Sequence, residues 1–96
     1  MFVALRSKRE DLTWNGTRYD VLMAYHNDWL YYYYDNYSTD NQTWAVSLET
    51  GAGLVRDGSR VRLINKHYEQ FLAPTGDHLT TVKSEDANCI WILEKA

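Results

Sequence analysis

Apolar residues recur along this chain mostly with a period of two, the spacing that puts alternate side chains on one face of a strand. Phe2, Ala4 and Arg6 alternate with Val3, Leu5 and Ser7. Residues 19–25, Tyr-Asp-Val-Leu-Met-Ala-Tyr, predict a buried strand, and Trp29 to Tyr34 predicts an aromatic one. Trp44 to Leu48 alternates large apolar with small residues. Val61–Ile64, Gln70–Leu72, Leu79–Val82 and Ile90–Leu93 complete the expected strands. Asn15-Gly16, Asp57-Gly58 and Pro74-Thr75-Gly76-Asp77 separate them as turns, because Gly and Asn accept positive φ and Pro presets φ. Asp35 to Asn41 reads as a polar loop, and Ser84 to Asn88 as one helical turn at most. The expectation is an all-β fold of short antiparallel strands, as a small barrel, sandwich or trefoil.

Two segments repeat one pattern. The first runs Val21-Leu22-Met23-Ala24, His26 to Leu30, then Trp44-Ala45-Val46 and Glu49. The second runs Val61-Arg62-Leu63-Ile64, Tyr68 to Leu72, then Trp91-Ile92-Leu93-Glu94. Their offset is 40 residues from Val21 to Val61 and 47 from Trp44 to Trp91, so the difference falls in the connecting loop. The expected organisation is one domain over 1–96 with repeat-like units at 19–50 and 59–95. In each unit the Trp is expected to cap a shared aromatic interior.

Composition sharpens this picture. Four Trp, eight Tyr and two Phe supply large core rings to a chain of 96 residues. A chain of this length buries only about two-thirds of its unfolded surface, so such rings matter. Net charge is −3, with the cluster Arg6, Lys8, Arg9 met at once by Glu10 and Asp11. No basic footprint stands out, so a nucleic-acid partner is not expected. No run approaches the ~18 apolar residues of a membrane helix, so no membrane partner is expected. The single cysteine, Cys89, cannot form an internal disulfide and reads as a buried thiol beside Ile90 and Trp91. Together with an N-terminus that lacks signal-peptide order, this points to a cytoplasmic setting. The sequons at Asn15, Asn36 and Asn41 then read as turn chemistry.

Catalytic chemistry finds little support. His26, His67 and His78 lack metal-ligand spacing with one another or with Cys89. The acidic pairs sit in turns, and Gly51-Ala52-Gly53 lacks the Lys-Ser/Thr of a phosphate loop. No enzyme activity, cofactor or metal is expected. The unusual feature is Tyr31-Tyr32-Tyr33-Tyr34, flanked by Trp29 and Tyr37 and followed by Asp35, Asn36, Asp40 and Asn41. Two of the four tyrosines must face outward from a strand. Outward rings beside Asp and Asn suit sugar stacking or a protein partner. The candidate ligand-binding set is Trp29, Tyr32, Tyr34, Asp35, Asn36, Tyr37, Asp40 and Asn41.

Residues 58–94 resemble β-trefoil repeats. They carry Gly58-x-x-Val61-x-Leu63, the pair Phe71-Leu72, then Glu85-Asp86-Ala87-Asn88 and Trp91-Ile92-Leu93-Glu94. The likeness is greatest to the repeats of MIR domains and fascin-like modules. It implies a non-enzymatic binding module and carries over no ligand residue. Trefoils of this class hold three repeats, whereas this chain has room for about two and a fraction, with Val3 to Ser7 resembling a further first strand. The resemblance therefore implies a different small barrel or completion by another copy as a homo-oligomer. Carbohydrate recognition leads, with protein interaction or self-assembly as the alternative. A third reading rests on Asp35 to Asp40, which resembles the calcium loop of microbial βγ-crystallins.

Overall fold

The computed structural model describes residues 1–25, 29–36, 39–83 and 89–94. Its regular structure, among the described residues, is antiparallel strand apart from two single 3-10 turns. The strands are β1 (Phe2–Val3), β2 (Thr13–Trp14), β3 (Thr17–Arg18), β4 (Val21–Tyr25), β5 (Trp29–Tyr33), β6 (Trp44–Leu48), β7 (Arg60–Asn65), β8 (Phe71–Thr75), β9 (His78–Val82) and β10 (Trp91–Ile92). Single 3-10 turns lie at Glu10–Leu12 and Asp40–Gln42.

The main sheet runs β1-β6-β7-β8-β9, with β10 also on β7. β7 is the hub. Its residues Val61–Asn65 pair with β6, Arg60 and Val61 pair with β10, and Ile64 pairs with Phe71 of β8. β4 and β5 form a separate hairpin. The N-terminal segment stitches the two together. Phe2 and Val3 pair with β6, while Arg6 bridges Val21 and Leu22 N–H donates to Leu5 O at 2.9 Å.

The interior explains why the period-two residues form these strands. Leu22, Ala24, Trp44, Val61, Leu63 and Leu72 make one buried cluster, with Leu30, Tyr32, Val46, Leu48 and Trp91 packed against it. Both expected Trp positions therefore meet one interior. Trp44 donates its indole N–H to Leu22 O at 3.2 Å, and Trp91 donates to Leu72 O at 2.9 Å. Each ring keeps a partner for its polar atom, which burial requires. Cys89 is buried.

Three expectations need adjustment. Asn15-Gly16 was expected as a turn, and it closes a two-residue hairpin, β2–β3, that the residue pattern did not mark as strands. Both residues sit at positive φ, 51° and 79°, as that turn demands. Pro74 belongs to β8 rather than to the turn. Thr75 pairs with His78, so only Gly76-Asp77 make the bend. Past Phe71, β8 has no pairing with β7, so the missing N–H of Pro74 breaks no ladder on that side. The expected helical turn at 84–88 lies outside the described residues. The two expected units also differ in layout. In the second, the Phe-Leu pair opens β8 and a further strand, β9, follows before the Trp. The first has the loop with the Asp40–Gln42 turn in that place.

Candidate functional site

The register of the β4–β5 hairpin divides the tyrosine strand. Tyr32 lies opposite Leu22 and Leu30 opposite Ala24, so both share the core-facing side with residues of the buried cluster. The expectation that Tyr32 points outward is thus corrected: parity is set by Leu22 and Ala24. Tyr31 and Tyr33 lie opposite Met23 and Val21 on the other face, where they cover two buried apolar residues. Trp29 pairs in register with Tyr25 at the end of the hairpin.

That other face carries a ladder of rings. Tyr25 meets Tyr31 at 6.0 Å between centroids, Tyr31 meets Tyr33 at 6.3 Å, and Tyr33 meets Tyr19 at 6.0 Å, all edge to face. Trp14 extends the row at 6.5 Å from Tyr19 and is 69% exposed. Tyr34 is exposed, as expected, and its ring lies 4.4 Å from that of Tyr33. The hydrogen bond with Tyr34 raises the Tyr33 pKa above the ordinary phenol value, and burial raises that of Tyr31. Edge-to-face contacts hold these rings against one another.

The polar loop is structural to a degree its composition did not reveal. Gln42 is buried and anchors it. Its Nε2 donates to Tyr34 O at 2.6 Å, and its Oε1 accepts from Asn36 N–H at 2.9 Å. Asn41 offers its carbonyl to the buried Asn65 side chain at 3.0 Å. Asp35 is held by Arg6, which also reaches Asp20 at 3.4 Å. Asp40 pairs with Lys66 at 3.3 Å, and the Lys66 ammonium sits 5.0 Å from the Phe2 ring centroid. The two described carboxylates of the expected set are therefore each matched by a cation. Tyr37 lies outside the described residues. Among the described residues no group of three or more His, Cys, Asp or Glu is placed to hold a metal ion. A cavity of about 370 Å³ beside this loop is lined by Phe2, Val3, Ala4 and Val21 and by three polar side chains already engaged: Asp35 and Gln42 in these bonds, and Thr43, whose hydroxyl donates to Thr39 O at 2.9 Å.

A larger cleft opens to solvent beside β5, where that strand lies against β9, with about 740 Å³ between the tyrosine strand and the tip of the β8–β9 hairpin. Leu22, Leu30 and Leu79 supply apolar lining, Tyr31 and Tyr32 the rings, and Arg9, Asp77 and His78 the polar groups. Arg9 is paired with Asp11 through Nε at 2.9 Å and Nη2 at 2.6 Å, a bidentate arrangement that raises its pKa and lowers that of Asp11. His78 Nε2 lies 3.2 Å from Asp77 Oδ1 at the solvent-facing tip. Among the expected site residues whose side chains are described, Tyr32 lines this cleft. Arg9, Asp77 and His78 were legible only as loop and turn residues. The approach of β9 to β5 left no trace in local pattern.

The chain matches no protein-family model, no curated protein and no solved structure. No helix among the described residues is long and apolar enough to cross a membrane.

Proposed function

We propose that the protein is a non-enzymatic recognition module that binds carbohydrate at the tyrosine strand. The observation that carries this reading is the cleft at Tyr31 and Tyr32. Its volume lies within the range of about 300–1,000 Å³ typical of ligand sites, and it combines aromatic and apolar lining with a few polar groups. A pyranose has the matching character, with C–H bonds on one face for an aromatic ring and hydroxyls around its edge for hydrogen bonds.

The architecture that supports this reading is a β-trefoil-like arrangement with an abbreviated first unit. Residues 1–7 followed by the β2–β3 hairpin parallel, in order, β7 followed by the β8–β9 hairpin. The N-terminal segment then lies between β4 and β6, pairing with each over part of its length. Binding would use loops and hairpin tips on this frame, leaving the interior to hold it together.

The reading is tested by isothermal titration of the full chain with methyl β-galactoside, methyl β-glucoside, methyl α-mannoside, N-acetylglucosamine and lactose, followed by a glycan array. Saturable binding of at least one sugar, with altered tyrosine or tryptophan fluorescence, is expected. Absence of binding across the panel and array contradicts the reading.

A further inference from the structure

We infer that the sugar is read by the tip of the β8–β9 hairpin, through Asp77 with Arg9, and not by the Asp35–Asn41 loop. This rests on the carbohydrate reading and assigns its polar contacts. Asp35 is held by Arg6 and Asp40 by Lys66. The amide of Gln42 takes Asn36 N–H and Tyr34 O, and the carbonyl of Asn41 accepts from Asn65. A sugar hydroxyl arriving at Asp35 or Asp40 must compete with these ion pairs, and the backbone of Asn36 and Asn41 is already bonded.

The cleft keeps polar atoms available beyond the pairs it already makes. The side chain of Asp77 is 91% exposed on the rim, with His78 Nε2 near one oxygen at 3.2 Å. Its carboxylate can accept from two neighbouring hydroxyls at once, the arrangement vicinal diols of a pyranose present. The Arg9–Asp11 pair uses Nε and Nη2, keeping Nη1 clear of that contact to donate to a ring or hydroxyl oxygen. Tyr31, Tyr32 and the leucines supply the aromatic and apolar lining of the same cleft. Arg9 is offset by Asp11, which leaves Asp77 as a carboxylate on the rim. The hydroxyl donors of a neutral polyol suit that carboxylate, and a phosphate would be repelled by it.

The structure thus names the ligand class as a neutral pyranoside with a pair of vicinal hydroxyls. The test is titration of the best-binding sugar of the panel above into four full-length proteins: wild type, Asp77→Asn, Asp35→Asn and Tyr34→Ala. Asp77→Asn retains turn-compatible chemistry at the hairpin tip, and its far-ultraviolet circular dichroism and melting temperature serve as the folding control. Loss of one charge-assisted acceptor is expected to weaken binding about tenfold or more. Asp35→Asn and Tyr34→Ala are expected to change affinity less than about twofold on the same scale. A folded Asp77→Asn that binds as wild type does, with Asp35→Asn or Tyr34→Ala losing affinity, overturns the inference while leaving the carbohydrate reading intact. If wild type binds no sugar, the carbohydrate reading fails and the inference with it.

Discussion

Trp44 and Trp91 end the same local pattern of first strand, aromatic-Leu pair and Trp, yet they are buried to different depths. Trp44 has no exposed surface, while Trp91 is only half-buried. The cause is the place of each strand in the sheet. β6 has β1 on one side and β7 on the other. β10 pairs with β7 alone among the described residues, and Ile92 beside it is 58% exposed. Like residues thus contribute unlike stability because one strand is central and the other lies at an edge. The two halves also differ in where they keep polar order. The first fixes a loop through the buried Gln42, and the second fixes a hairpin through the buried Gln70, which accepts from Thr81 Oγ1 at 2.8 Å.

The strongest way to break this comparison is at the indoles. Trp44→Ala is expected to cost about 3–5 kcal/mol, since it empties the centre of the cluster. That is a large part of the roughly 5–15 kcal/mol holding such a domain together. Trp91→Ala should cost only about 2 kcal/mol. Urea unfolding, with Trp44→Phe as a milder companion in case the alanine variant does not fold, measures the difference. Equal costs for the two positions would mean that strand placement does not set the contribution of each ring.

A middle-sized effect is expected at the joint between the halves. Asn65 is wholly buried. It donates to Asn41 O and accepts the backbone N–H groups of His67 and Tyr68, both at 3.1 Å. Asn65→Ala should cost about 1–3 kcal/mol by stranding those partners. Asn65→Asp keeps the acceptor that shapes the following turn but loses the donor to Asn41, so it should recover part of the loss. No recovery would show that the bond across the halves dominates.

The smallest effect is expected at alkaline pH and in the first half alone. The folded chain raises the pKa of Tyr31 and Tyr33 above the ordinary value of 10.0, so it favours their neutral forms. Their contribution is complete below that value and is lost as pH rises through the raised ones. Ultraviolet titration of phenolate should find these two ionising last, and Tyr31→Phe with Tyr33→Phe should flatten the alkaline decline in stability. A double variant with an unchanged alkaline profile would assign the decline to other groups.

Much of the frame was legible because local rules decided it. The strand at Trp44–Leu48 was read with its observed bounds, and the Trp residues were placed on one interior, since period-two burial is written in the side chains themselves. The β2–β3 hairpin was missed although Asn15-Gly16 announces it, because Thr13, Trp14, Thr17 and Arg18 form a solvated ribbon with no apolar face to betray it. Which tyrosines face the core depended on pairing with Leu22 and Ala24, and register is a non-local fact. The candidate site was less legible still. Asp35, Asn36, Asp40 and Asn41 look like ligand groups by type, but Arg6, Lys66, Gln42 and Asn65, distant or unremarked in the chain, decide how they are used.

Exchange of the tryptophan indole protons with deuterium, followed by nuclear magnetic resonance on the full chain, addresses most directly whether two Trp-ended segments share a single interior at different depths. Trp44 Nε1–H should exchange slowest, near the rate of global opening, Trp91 faster, and the exposed Trp14 at once. Trp91 exchanging as slowly as Trp44, or Trp44 exchanging as quickly as Trp14, would contradict that arrangement.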